Sequence, residues 1–181
     1  MRFRRRWLIS LSMLVGITIL FLPGPTLKRF EFTESHMGTR FRIVLYASDE
    51  DSAKEACRAA FCRIAQLDDN MSDYDPDSEL MRLAARAGTG PIRINEDLFR
   101  ILSQSQQLAS MTGGAFDVTI GPLVRLWRRA RQDKKMPDLG ALTQARDLVG
   151  FKKMQLNPEA STAELFLPGM QLDLGGIAKG Y

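Results

Sequence analysis

The sequence predicts an α+β domain behind an apolar N-terminal segment, and three observations lead there. Phe41, Ile43 and Leu45 alternate with Arg40, Arg42 and Val44, the period of two expected of a half-buried strand. Ala53, Ala56, Cys57, Ala60, Phe61, Ile64 and Leu67 then recur at i, i+3, i+4 and i+7, the spacing of an amphipathic helix. Two or three strand-like stretches close the chain, around 151–156, around 163–167 and from Met170 to Leu174.

Taken in order, Asp49-Glu50-Asp51 opens the first helix, and residues 68–77 form an acidic, turn-rich loop. Ser78 caps a short helix that ends before Gly88, and Pro91 to Ile94 is a short strand. Asn95, backed by Glu96 and Asp97, caps a second long helix through Leu98, Ile101, Leu102, Ser105, Leu108 and Ala109, which Gly113-Gly114 stops. Pro122 begins a further helix with Leu123, Leu126 and Trp127 on one face and Arg125, Arg128, Arg129 and Arg131 around it. Residues 138–149 read as another helix. Gln171 to Leu174 runs as a buried strand into Gly175-Gly176-Ile177-Ala178-Lys179-Gly180, where a helix start would present backbone N–H groups. The chain ends at that point, so it reads as a truncated fragment. There is no internal repeat and no low-complexity tract.

The 181 residues are 45% hydrophobic and 25% charged, a composition that excludes disorder, collagen-like repeats and a disulfide-stapled miniprotein. The net charge of +4 is located at one end: residues 1–29 hold six Lys/Arg and no acid, while residues 30–181 hold 19 basic and 21 acidic side chains. Nucleic-acid binding is therefore not expected. Arg2, Arg4, Arg5 and Arg6 precede an uncharged run from Trp7 to Leu22 that ends at Pro23-Gly24-Pro25. As a helix that run covers about 24 Å, slightly short of a hydrocarbon core of about 30 Å. Residues 1–29 thus read as a signal peptide or a membrane anchor, with the arginines in the cytoplasm and the chain from about residue 26 outside. Arg4-Arg5-Arg6-Trp7-Leu8 loosely resembles a twin-arginine signal, and no cysteine nearby could be lipidated. Cys57 and Cys62, five apart on a helix, lie roughly 8.5 Å apart at Cα and are too distant for a disulfide. They read as core or near-core thiols.

His36 is the one histidine, which excludes a multi-histidine zinc site and leaves little basis for a Ser–His–Asp or Cys–His device. The closing glycine turn fits neither the P-loop nor the Rossmann spacing, although a basic glycine turn can still cradle a pyrophosphate.

Four segments stand out in order: Met37-Gly38-Thr39; Ser72-Asp73-Tyr74 with Asp77-Ser78-Glu79-Leu80; Thr112-Gly113-Gly114-Ala115-Phe116-Asp117 with Gly121-Pro122-Leu123 and Leu126-Trp127; and Leu172-Asp173-Leu174-Gly175-Gly176-Ile177-Ala178-Lys179-Gly180-Tyr181. Together they resemble the FAD:protein FMN transferase (ApbE-like) family over about residues 37–181, roughly the first half of its catalytic domain. The resemblance implies an α+β fold of antiparallel sheets with flanking helices, with residues 30–181 as the N-terminal part of the transferase domain. It also implies Mg²⁺-dependent transfer of the FMN half of FAD to a threonine of an exported redox protein, with release of AMP, at the periplasmic side of a bacterial inner membrane. An FAD-binding accessory protein without transfer activity is the alternative. Carried over residue by residue, Met37, Tyr74, Ala115, Phe116, Asp117, Asp173 and Lys179 would contact FAD, and the Gly176 carbonyl would reach Mg²⁺. One carbonyl cannot hold that ion, so the chain as it stands is expected to bind FAD poorly and to be inactive. It has no Asp-x-x-Ser/Thr-Gly-Ala-Thr segment of the kind the family modifies, and is not expected to be its own substrate.

Overall fold

A computed structural model describes residues 26–181, and the apolar run at 7–22 lies outside them. Among the described residues no helix is long and apolar enough to cross a membrane. Strand β1 (Lys28–His36) pairs antiparallel with β2 (Thr39–Ala47), from Lys28 opposite Ala47 to His36 opposite Thr39. The sequence predicts β2 and not β1. In β1 only Phe30, Phe32 and His36 turn partly inward, and Lys28, Arg29, Glu31 and Glu34 obscure the alternation. Lys28 and Arg29, at the end of the basic N-terminal segment, belong to this strand.

Helix α1 (Glu50–Met71) lies on the hairpin, its N-cap Asp49 accepting from the Ser52 N–H at 2.8 Å. It buries Ala53, Cys57, Phe61 and Met71, and it extends one turn past the predicted end into the acidic stretch, closing with the Ser72 N–H on the Asp68 carbonyl. Cys57 is buried as expected, but Cys62 is exposed, because a five-residue step rotates the helix by about 140° from the buried face. Both thiols are free.

Helices α2 (Glu79–Ala85) and α3 (Glu96–Met111) start at the expected caps, Ser78 and Asn95, whose side chains accept from the Met81 and Leu98 N–H groups. They cover an antiparallel sheet of strand order β3-β5-β4: β3 (Ile92–Arg93), β5 (Thr162–Leu165) and β4 (Met154–Asn157). Leu80, Leu83, Leu98, Ile101, Leu102, Leu165, Met170 and Leu174 form the fully buried centre. Burying such a side chain contributes roughly 1.5–3 kcal/mol each. Arg63 of α1 clamps Asp97 of α3 through bonds of 2.9 and 2.6 Å, and the Tyr181 hydroxyl adds a third at 3.3 Å. A 3₁₀ turn (Val118–Ile120) leads into α4 (Gly121–Asp133), and α5 (Leu139–Asp147) follows with Asp138 as its cap.

The predicted strand at Met170–Leu174 is not one. The segment keeps the alternation, with Met170, Leu172 and Leu174 buried, but it forms no ladder with the described strands. It is held by packing and by the Asp173 N–H on the Val118 carbonyl at 2.8 Å. Its backbone presses on the start of α4, where a Cβ at Gly121 would stand 2.6 Å from the Gln171 carbonyl carbon. The stretch predicted around 151–156 divides into a 3₁₀ turn (Phe151–Lys153) and β4. After the terminal glycines the chain makes one 3₁₀ turn, Ala178–Gly180.

A candidate flavin-nucleotide cleft

The β1–β2 connection is two residues long, and both Met37 (φ +49°) and Gly38 (φ +65°) are left-handed, as a tight hairpin turn between right-twisted strands requires. Glycine takes that conformation freely, whereas methionine does so at a cost of roughly 1–2 kcal/mol. Its N–H is held by the Asp68 carboxylate of α1 at 2.8 Å. The turn therefore sits against the C-terminal end of α1.

Past that end, Ser72 organises the acidic loop. Its hydroxyl accepts from the N–H groups of Tyr74 and Asp75 at 3.3 and 3.2 Å, and its carbonyl accepts from the buried Ser78 hydroxyl at 2.6 Å. The loop is thereby tied to the cap of α2, and Tyr74 is left 77% exposed.

Arg128, on α4, closes the arrangement. It pairs with Asp73 and, at 3.3 Å, with Asp173, while its guanidinium carbon lies 4.3 Å from the centre of the Tyr74 ring. Burial works against the charge of Arg128, but the Asp73 hydrogen bond and charge outweigh it, so its pKa stands above the ordinary arginine value. Asp173 uses its other oxygen to accept from the Gly175 N–H at 2.8 Å, which sets the glycine turn. A carboxylate has about four acceptor positions, so two remain available to a ligand.

These pieces enclose a cleft of about 460 Å³ lined by Met37, Tyr74, Arg128, Gly175 and Lys179 among others. That volume is in the range of small-molecule sites. It offers an aromatic face for a flat ring, and two cations with glycine backbone for an anionic group.

Of the residues singled out from sequence, Met37, Tyr74 and Lys179 line this cleft, and Asp173 adjoins it through Arg128 and Gly175. Ala115, Phe116 and Asp117 do not line it. Phe116 lies behind the glycine turn, with its Cε2 3.3 Å from where a Gly176 Cβ would stand. Asp117 spends its carboxylate internally. One oxygen accepts from the Thr119 N–H and hydroxyl at 2.8 and 2.7 Å, the other from the Phe151 N–H at 2.7 Å. Asp68, Asp73 and Arg128 are charged residues lining the cleft that sequence reasoning did not single out. Asp73 stood inside a quoted motif, but Arg128 looked like one of four arginines around a helix, and no spacing set it apart.

Gly176 can supply one backbone carbonyl. Among the described residues no three His, Cys, Asp or Glu side chains are grouped to hold a metal. Mg²⁺ takes near-octahedral oxygen coordination, commonly from one or two protein oxygens with waters and substrate phosphates, so the Gly176 carbonyl could supply one corner of it.

Comparison with known proteins identifies the family. The sequence profile of the ApbE family matches residues 37–181. A Treponema pallidum protein named FAD:protein FMN transferase is 30% identical over 180 residues, covering 92% of this chain and 50% of that protein. A Haemophilus influenzae protein of the same name is 37% identical over 116 residues, covering 61% of this chain and 34% of its own. Among solved structures, the flavinyl transferase ApbE of Pseudomonas stutzeri superposes with a TM-score of 0.75 at 26% identity, over 86% of this chain and 50% of that one. The Thermotoga maritima ApbE protein also gives a TM-score of 0.75, over 85% and 50% of the two chains. At 24% identity it speaks for the fold alone. The chain thus spans about half the length of the relatives it matches. With the profile match over residues 37–181 and the shared α+β fold of antiparallel sheets, this chain belongs to the ApbE family.

Proposed function

We propose that the protein, in its full length, is a flavin transferase that moves the FMN moiety of FAD onto a threonine of an exported redox protein and releases AMP. The observation that carries this is the cleft itself, where Met37, Tyr74 and Lys179 from three separate motifs meet beside Asp173. In the reaction the threonine hydroxyl gives up its proton to solvent, its oxygen forms the new bond to the FMN phosphorus, the bridging P–O bond breaks, and AMP departs with the negative charge. Tyr74 gives a ring of FAD a flat face, while Lys179 and Arg128 draw its phosphates into the cleft. Asp173 orients Arg128 and the glycine turn. The proposal includes Mg²⁺, which would supply charge stabilisation at the phosphates. The resemblance assigns the ion the Gly176 carbonyl, and no residue role above depends on it. The names of the relatives support the activity, and the arginine-led apolar run at the N-terminus supports a domain held at, or exported across, a bacterial inner membrane.

The second reading is an anchored FAD-binding protein without transfer activity, which missing metal ligands in the complete protein would favour. Incubating the full-length protein with FAD, Mg²⁺ and a threonine-bearing acceptor peptide separates the possibilities by mass spectrometry. Peptide carrying FMN is the expected product. Free FMN with unmodified peptide would mean FAD hydrolysis, and bound FAD with neither product would leave the accessory reading.

A further inference from the structure

We propose that the basic face of α4 is the docking surface for an acidic segment of the acceptor protein, guiding it from outside into the cleft. This rests on the flavin-transfer reading of the cleft and names the partner's chemistry.

The first observation is continuity. Tyr74 and Arg128 line the cleft. Those same two residues border a shallow depression with Arg131 and Gln132. Arg131 in turn borders a second depression with Trp127, Lys134 and Met136. The three share walls, so one track leaves the cleft and runs to the C-terminal end of α4.

The second observation is charge. Residues 26–181 hold 21 basic and 21 acidic side chains, yet between residues 125 and 135 there are six cations and a single acid, Asp133. Arg128 is tied to Asp73 and Asp173, but none of Arg125, Arg129, Arg131, Lys134 and Lys135 forms an ion pair among the described residues. Cations near the end of a helix are favoured by its dipole, which accounts for part of this arrangement at Arg131, Lys134 and Lys135. Arg125 and Arg129 lie earlier and repel each other at i, i+4. An anionic partner relieves that repulsion.

The third observation is apolar surface within the charge. Trp127 is 43% exposed and Met136 72%. Tryptophan, methionine and arginine together are the composition of protein-binding patches rather than of a merely solvated face. A membrane surface is the less suitable occupant. The chain enters β1 at Lys28, while the cleft lies at the Met37 turn, at the far end of nine paired residues, or about 30 Å. The track begins at the cleft, away from the entry of the N-terminal segment.

The test uses the full-length protein and two short fluorescein-labelled peptides, each with one threonine and one leucine, one filled out with glutamate and the other with glutamine. The glutamate peptide should bind, weaken as salt rises, and change the emission of Trp127; the glutamine peptide should not. The combined substitution Arg131→Glu, Lys134→Glu and Lys135→Glu should lower the glutamate-peptide affinity by about tenfold or more, because three exposed attractive pairs become repulsive. FAD binding, read by quenching of flavin fluorescence, should stay unchanged. The corresponding glutamine variant, with a circular-dichroism check on helicity, should fall between the two and guards against misfolding. Equal binding of both peptides, or full affinity in the folded charge-reversed variant, would overturn the proposal. So would phosphatidylglycerol vesicles binding through these residues while the glutamate peptide does not. Loss of FAD binding in the unaltered protein, with peptide binding retained, would instead overturn the transfer reading.

Discussion

The guanidinium of Arg128 covers one face of the Tyr74 ring at 4.3 Å while pairing with Asp73 and Asp173, so one side chain from α4 fixes both the aromatic wall and the acids of the cleft. The other face of the Tyr74 ring is left to solvent, and under the proposed function it is the face a flat ligand ring would meet.

Removing the arginine should therefore act on ligand binding through charge. Arg128→Ala leaves Asp73 and Asp173 without their shared cation beside a phosphate-bearing ligand. FAD affinity, measured by fluorescence quenching, should fall about tenfold at low salt and less at high salt, as screening weakens the repulsion between carboxylates and phosphates. Tyr74→Ala should also weaken binding, but with little dependence on salt, because it removes stacking. Equal salt dependence in the two variants would contradict the division of roles.

Asp117 should prove structural. Its three hydrogen bonds tie the turn before α4 to Phe151, so Asp117→Ala should cost about 1.5–3 kcal/mol in denaturant unfolding. FAD affinity should fall far less than in Arg128→Ala. Unchanged stability with lost FAD binding would place Asp117 in the site instead.

The two cysteines should react at very different rates. Burial, and secondarily the charge of Glu34, push the Cys57 thiol above its ordinary pKa, whereas Cys62 is exposed. A maleimide should modify one thiol per folded chain, and peptide mapping should find it at Cys62. The second should follow only on unfolding. Rapid modification of Cys57 in the folded protein would contradict the packing of α1 on the hairpin.

The Asp97 clamp predicts a pH effect of defined sign. The Arg63 hydrogen bond, against a smaller opposing effect of burial, holds the Asp97 carboxyl below the usual carboxylate range. A depressed folded-state pKa stabilises above the unfolded value near 4 and is lost as pH falls through the folded value. The stability difference between the unaltered protein and Asp97→Asn should therefore be constant at neutral pH and shrink below about pH 4. A difference that persists unchanged into acid would mean that the contact with Arg63 does not depend on the charge of Asp97.

Much of the fold was legible in the residues, and the reason is local. The caps Asp49, Ser78, Asn95 and Asp138 act within three residues of themselves, so α1, α2, α3 and α5 begin where their sequences say. The strand Thr39–Ala47 carries its period in its own side chains. Its partner Lys28–His36 was hidden because charged residues crowd the exposed positions of a two-stranded hairpin. For Met170–Leu174 the apolar character of a buried segment is legible and the missing ladder is not, since hydrogen bonding depends on a neighbouring strand that no local pattern reports.

The site divides along the same line. The sequence carried the motifs, and the family resemblance singled out Met37, Tyr74, Ala115, Phe116, Asp117, Asp173 and Lys179, of which Met37, Tyr74 and Lys179 line the cleft and Asp173 adjoins it. Only the tertiary structure decided that Asp117 is consumed by Thr119 and Phe151, and that Arg128, among four arginines of one helix, reaches Asp73, Tyr74 and Asp173. Helical spacing says which side chains share a face. What that face meets is set by the packing of α4 against the Gln171–Leu174 segment, close enough that only the glycine at position 121 fits.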